Sequence, residues 1–224
     1  MGYYIDLEKI TVDDYRTKLE SVYLPPSRMI LRERLDERFG YLKSIGIRNI
    51  KELIQILKKK DKFTELQNVE CLSGNYLIIL LRELNSTLPK PNKIAEFKGI
   101  SEDIVVKLDK IGIKNTVKLY DRIITSENRK ELAESIGIKN SEILELTKLT
   151  DLSRIKWVGT TAARMLYDLG LDTVEKVSKA DYSDLHKKIN QLSREKNIYK
   201  VQIGLNDIKI LINVAKEVPQ EIEY

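Results

Sequence analysis

The chain has 224 residues, with 39 Lys and Arg against 34 Asp and Glu, for a formal net charge of +5. Apolar residues make up 42 % and charged residues 33 %, the balance of a globular chain that buries a core and not of a disordered one. The single cysteine, Cys71, excludes a disulfide framework and thiolate metal clusters, and the single histidine, His186, excludes a His-rich metal site and weakens any catalytic triad.

Residues 1–20 carry Asp6, Glu8, Lys9, Asp13, Asp14 and Arg16, so they hold no apolar core for a signal peptide. The longest apolar run, Tyr76 to Leu81, falls short of the ~18–20 residues that span a bilayer. The expectation is a cytoplasmic protein with no membrane partner. Apolar residues recur at helical spacing in many segments: Ile50/Leu53/Ile54/Leu57, Leu77/Leu80/Leu81/Leu84, Ala162/Met165/Leu166/Leu169 and Ile208/Leu211/Ile212/Ala215. No period of two persists, so the predicted fold is all-α, with about ten to thirteen short helices. Thr11, Ser27, Asn49, Ser101, Ser126, Ser141, Thr173 and Asp181 each precede such a run and carry an oxygen that can accept a first-turn N–H. Asn49 with Glu52, and Asp181 with Asp184, resemble capping boxes.

Pro25-Pro26 separates a first helix from a long one beginning near Arg28. The run Lys58-Lys59-Lys60 with Lys62 reads as the solvated end of the helix that starts after Asn49, or as an extension of a phosphate-binding footprint. Cys71 has no basic neighbour and reads as a small core residue. Leu88-Pro89-Lys90-Pro91-Asn92 cannot be helical through its middle, which predicts an N-terminal helical module over 1–88 and a second domain over 89–224. Residues 41–90 hold nine basic and five acidic side chains, yet no block is basic enough to declare nucleic-acid binding on charge alone.

One phrase returns along the chain. Tyr41 to Asn49, Lys107 to Asn115 and Met165 to Thr173 each end a helix at a glycine (Gly46, Gly112, Gly170), follow it with an apolar residue and start the next helix on a polar cap. Gly46 and Gly112 stand 66 residues apart, and Gly137 and Gly204 stand 67 apart, which fits three diverged units with the second interval shortened. The phrase from Leu152 to Leu166, running on through Gly170, resembles a helix-hairpin-helix unit. Gly159 and Ala163 match that pattern's second hairpin glycine and its alanine, and Trp157 stands where the first glycine is expected. In the preceding unit Gly99 supplies the first glycine and Ser101 replaces the second, while Leu35 to Tyr41 has no hairpin glycine. From about Thr150 onward, and less closely over 93–150, the chain resembles a bacterial family of unknown function built from paired helix-hairpin-helix motifs. The resemblance implies tandem helix-hairpin-helix-like repeats with a helical N-terminal extension. It also implies a ligand, since related hairpins in DNA ligases and repair proteins grip the DNA backbone without reading sequence.

A tight hairpin before a helix aims free N–H groups one way, and the helix dipole adds partial positive charge. The loop Val158-Gly159-Thr160-Thr161 offers those groups together with two hydroxyls, and Arg154, Lys156 and Arg164 offer cations. Arg164 lies off the apolar stripe and is expected to face solvent. Capping explains Thr160 or Thr161 equally well, and a purely structural hairpin remains the competing reading. Trp157 reads as a plug in the hairpin or as a stacking platform for an unpaired base. In the hairpin at 98–103, Glu102 and Asp103 satisfy the helix dipole themselves and repel phosphate. His186 is expected to be an exposed surface residue. No Gly-rich nucleotide loop, GxSxG elbow or HExxH is present, so no catalytic residue, metal site, cofactor or small-molecule substrate is expected. The expected function is non-catalytic, sequence-independent DNA binding through Arg154, Lys156, Val158, Gly159, Thr160, Thr161 and Arg164. The alternative is a protein–protein scaffold whose phosphate site has decayed.

Overall fold

A computed structural model describes residues 2–224; Met1, the first residue of the expected N-terminal module, lies outside them. Among the described residues helices take 61 % and no strand forms, so the fold is all-α. The chain packs as two compact units, one of residues 6–88 and one of residues 89–224 together with residues 2–5. No helix among the described residues is long and apolar enough to cross a membrane.

The unit of residues 6–88 holds α1 (Val12–Ser21), a 3-10 segment (Pro26–Arg32), α2 (Leu35–Ser44), α3 (Ile50–Lys58), α4 (Lys60–Gln67) and α5 (Gly74–Asn85). Thr11 closes a capping box with Asp14, taking its N–H at 3.0 Å and giving its own to the Asp14 carboxylate at 3.1 Å. Asn49 caps α3 through the Glu52 N–H at 3.0 Å, but the Glu52 carboxylate takes the Arg48 N–H instead, so the expected box stays half-formed. No long helix runs from Arg28. The 3-10 segment stops at Arg32, and Arg34 turns left-handed with φ +50° before α2 begins. Buried Arg38 compensates for the broken ladder, giving 2.8 Å hydrogen bonds to the carbonyls of Ile30, Glu33 and Cys71 while its guanidinium lies 4.0 Å over the Tyr76 ring. Cys71 is buried and unpaired. Lys58, Lys59 and Lys60 are exposed at the junction of α3 and α4, and Lys62 pairs with Glu65 at 2.8 Å.

The second unit holds a short 3-10 turn (Ile94–Glu96), then α6 (Glu102–Lys110), α7 (Thr116–Tyr120), α8 (Ser126–Ile136), α9 (Asn140–Leu152), α10 (Thr160–Asp168), α11 (Val174–Ser178), α12 (Tyr182–Glu195) and α13 (Leu205–Ala215). Central to it is α9, which packs against α7, α8 and α10. Ile143, Leu146, Leu149 and Leu152 are fully buried, each worth about 1.5–3 kcal/mol in transfer from water. Ser101, Thr173 and Asp181 cap their helices as expected, whereas Thr125 caps α8 in place of Ser126, and Glu142 takes the first free N–H of α9 at Lys139.

The phrases around Gly46, Gly112 and Gly170 share one turn geometry. Each glycine has φ between +79° and +89°. The N–H after it reaches back to the helix at 3.2 Å (Ile47 to Leu42), 2.9 Å (Ile113 to Leu108) and 3.0 Å (Leu171 to Leu166), the bond of a Schellman cap. The helix after each turn is anchored alike. Ile50 N–H donates to the Ile10 carbonyl at 3.0 Å, and Thr116 N–H to Asn92 at 2.9 Å. At the third turn the Asp151 carboxylate replaces the carbonyl, taking the Val174 N–H at 3.2 Å.

Asp172 ties that third turn to α9. Its carboxylate accepts from Lys148 and, at 2.6 Å, from Lys176. Burial pushes its carboxyl up, but these two hydrogen-bonded cations outweigh burial and hold it below the usual carboxylate range. A depressed carboxyl contributes stability above its unfolded value of about 3.9, and that stability is lost as pH falls through the folded value. Asp172→Asn is therefore expected to cost about 1–2 kcal/mol at neutral pH in urea unfolding, with the gap to the parent chain closing below about pH 4. A gap that stays constant down to pH 3 contradicts this ion pair.

Candidate functional site

The hairpin between α9 and α10 is built on a four-residue turn. Val158 N–H donates to the Ile155 carbonyl at 3.0 Å, and Trp157 takes φ +68°. Ile155 and Val158 point into the core, 0 % and 5 % exposed, and so fix the loop from below. Gly159 is the N-cap of α10 in an extended conformation, with its carbonyl accepting the Ala163 N–H at 2.9 Å. Thr160 and Thr161 are the first two helical residues, and no side chain caps this end. The capping explanation for these threonines is thereby corrected: the cap position is a glycine, and the hydroxyls stand beside it. Among the described residues no acceptor takes the N–H groups of Gly159, Thr160 and Thr161, and α10 carries no acid in its first turn. A Cβ built on Gly159 meets nothing within 4 Å, so the backbone here is open to a ligand.

The cations are placed differently from expectation. Arg154 lies inside the unit, 3 % exposed. Its Nε donates to the Tyr3 carbonyl at 3.2 Å, Nη1 to Asp151 at 2.9 Å and Nη2 to the Pro219 carbonyl at 3.0 Å, while its plane lies 4.6 Å from the Tyr120 ring centre. A guanidinium with its donors spent on the protein is not offered to phosphate. Arg164 does not face solvent either. It bridges Glu145 at 2.6 Å and Asp168 at 3.7 Å, stacks 5.1 Å from the Tyr167 ring, and lies so close to Gly99 that a Cβ there would sit 2.9 Å from its Nη2. The backbone at 99, φ +87°, is a conformation that L side chains rarely adopt and that glycine takes freely. Off the apolar stripe, Arg164 faces Glu145 of α9 and Gly99 of the preceding hairpin instead of water. Lys156 is half-buried, its ammonium 4.3 Å over the Trp157 ring. Trp157 is no plug, since 52 % of it is exposed.

The hairpin before α6 repeats the turn, with Ile100 N–H reaching the Phe97 carbonyl at 3.4 Å and Gly99 in the place of Trp157. Its helix end is occupied, because Ser101 caps the Ile104 N–H and Glu102 and Asp103 line the first turn. At α13 the Asp207 carboxylate folds back to the Gly204 N–H at 3.1 Å. A cleft of 430 Å³ is lined by Lys98, Gly99, Thr161, Arg164, Asp168 and Lys196, but Asp168 already pairs with Lys196 at 2.7 Å as well as with Arg164. His186 is partly buried and its Nε2 lies 3.1 Å from the Ile203 carbonyl, which Asn190 also binds, so it secures the loop before α13 instead of standing free. Among the described residues no group of three His, Cys, Asp or Glu is arranged to hold a metal ion.

The chain belongs to the family described as a domain of unknown function, DUF4332, whose model matches residues 98–218. That segment begins at the first of these hairpins and ends just beyond α13; residues 6–88 fall outside it. No curated protein and no solved structure matches the chain.

Two substitutions separate the internal from the half-buried cation. Arg154→Glu is expected to cost about 3–5 kcal/mol or to prevent folding, because it buries an unpaired charge beside Asp151. Lys156→Glu, which loses the cation over the Trp157 ring at a half-buried site, is expected to cost about 1 kcal/mol. Equal thermal shifts for the two variants contradict this placement.

Proposed function

We propose that this protein is a non-catalytic, sequence-independent nucleic-acid-binding protein. Its phosphate contact is the N-terminus of α10, and its units are diverged helix-hairpin-helix repeats of a cytoplasmic protein. The observation that carries the reading is the open helix end at Gly159, Thr160 and Thr161, which has three N–H groups and no side chain or acid of its own to satisfy them. Aligned peptide dipoles place partial positive charge there, and a phosphate oxygen fits it without side-chain specificity. The common turn at Phe97–Ile100 and Ile155–Val158 and the matching Schellman caps support the repeat reading. Arg154 and Arg164 leave the proposed contact set, which reduces to Lys156, Gly159, Thr160 and Thr161, with Val158 as the buried anchor of the loop. Contacts of this kind position a protein on a phosphate backbone and carry little sequence information.

The second reading, a protein–protein scaffold, is favoured by a specific observation. Both arginines of the hairpin region are neutralised internally, and the α6 hairpin bears Glu102 and Asp103. Anisotropy titrations against duplex, single-stranded and branched DNA over a salt series decide between them. For a contact with one or two phosphates, the log of the binding constant is expected to fall by only about 0.9 per phosphate for each tenfold rise in salt, and so gently. Gly159→Asp gives α10 its own capping carboxylate. It is expected to keep or slightly raise the melting temperature, since Asp is at least as good an N-cap as Gly. It is also expected to lower DNA affinity about tenfold or more by filling the anion site with like charge. Absence of binding to all three DNA forms at low salt overturns the nucleic-acid reading in favour of the scaffold.

A further inference from the structure

One face of α10 lines the cleft of 430 Å³, with Thr161, Arg164, Met165 and Asp168 at the i, i+3, i+4 and i+7 spacing of a helix. Lys98 of the first hairpin and Lys196 and Ile198 after α12 line it too. These walls are preformed. Asn197 turns left-handed with φ +50°, and the Ile198 N–H returns to the Ser193 carbonyl at 2.9 Å, so α12 closes in the same cap as the glycine turns. Met165 is 1 % exposed and Ile198 half-buried, and they give the cleft its apolar lining. A volume of this size falls in the range of small-molecule sites, about 300–1,000 Å³.

Charge tells what such a molecule carries. Lys98, Arg164 and Lys196 bring three positive charges, and Asp168 with Glu145, which hold Arg164, brings two negative ones. One positive charge is left over. It belongs to Lys98, which is exposed and has no ion pair among the described residues. The Thr161 hydroxyl likewise has no partner there. Arg164 is itself incompletely satisfied: Glu145 takes Nη2 at 2.6 Å, Asp168 stands 3.7 Å from Nη1, and the buried Nε has no acceptor.

We propose that this cleft binds a small organic monoanion with an apolar body. Lys98 and the Thr161 hydroxyl take its carboxylate or other singly charged head, Arg164 stands as a fixed positive wall, and Met165 and Ile198 receive the body. Asp168 in the lining opposes a second negative charge, so a monoanion suits the cleft better than a doubly charged phosphate. The inference goes beyond the nucleic-acid reading and shares only Thr161 with it.

The full chain is titrated with anilinonaphthalene sulfonate, a monoanion on an apolar body whose emission rises in apolar surroundings, and with phenylnaphthylamine, its uncharged counterpart. The anion is expected to saturate a single site, and the uncharged probe to bind about tenfold or more weakly. Amide resonances of Lys98, Thr161 and Ile198 are expected to move together during the titration. Octanoate should displace the anion, and octanol should not. Lys98→Glu, at an exposed and unpaired position, is expected to melt within a few degrees of the parent. It should weaken the anion about tenfold or more and change the uncharged probe by less than about twofold, while Lys98→Arg restores binding. Equal affinities for the two probes that Lys98→Glu leaves unchanged overturn the proposal. So does saturation that moves the amides of Tyr182, Tyr199 and Val201, which are also exposed, in place of those of the cleft. An affinity for the anion weaker than about 1 mM overturns it as well. None of these outcomes decides the nucleic-acid reading, which Gly159→Asp tests at a residue outside the cleft lining.

Discussion

The second unit depends on one buried ion pair. Asp151 and Arg154 sit at the end of α9 and meet at 2.9 Å with almost no exposure to water. Two charges in such a place are tolerated only when the remaining donors and acceptors are also satisfied. Here they are. Asp151 takes the Val174 N–H at the start of α11 and the Tyr224 hydroxyl at 2.9 Å, and Arg154 gives to the carbonyls of Tyr3 and Pro219. The pair thereby ties residues from both ends of the chain and the turn after α10 to a single helix. Around it Tyr3 meets Tyr120 edge-on at 5.7 Å and its hydroxyl accepts from Thr116 at 2.9 Å, while Tyr120 donates to Glu221 at 3.0 Å. Burial pushes the Tyr3 hydroxyl up, so it stays protonated within the network.

This constraint also shapes the surface. The loop that leaves Arg154 must turn at once, with Ile155 and Val158 drawn into the core, and the residues between and after them are forced outward. Trp157 and Gly159 are exposed and Lys156 is half-buried. The positive character of the site therefore comes mainly from backbone dipoles and one lysine, with the arginines spent on holding the loop in place. On the proposed reading, a phosphate contact built this way carries no preference for sequence.

Much of this was legible in the chain. Helix starts at Thr11, Asn49, Ser101, Thr173 and Asp181 and the glycine turns at 46, 112 and 170 are local signals, set by chemistry within four or five residues. The open helix end at Gly159 belongs to the same class. The fate of Arg154 does not, because its partners Tyr3 and Pro219 lie 151 and 65 residues away. A signal was nonetheless present. Glu142, Glu145, Lys148 and Asp151 recur every third residue along α9, and Arg154 keeps the spacing just beyond its end, among residues that are otherwise largely apolar or hydroxylated. A single charged line through a helix buried on its other sides finds its partners in neighbouring elements. Glu145 meets Arg164, and Lys148 meets Asp172. Trp157 was misread as a plug because aromatic side chains are usually buried; the left-handed turn, which points the side chain away from the core, outweighed that tendency. The expected long helix after Pro26 failed for a similar reason, since Arg38, from the following helix, satisfies carbonyls that a continuous helix would have used.

The most direct measurement is amide NMR of the nitrogen-15-labelled chain during titration with a short single-stranded oligonucleotide at low salt. Phosphate binding at the α10 N-terminus predicts that the resonances of Gly159, Thr160 and Thr161 and the Trp157 indole move together and saturate. Those of Glu102 and Asp103 on the acid-bearing hairpin should stay in place. Shifts confined to Glu102, Asp103 or the Lys58–Lys60 segment, with the α10 amides unmoved, would contradict the assignment of this helix end as the binding site.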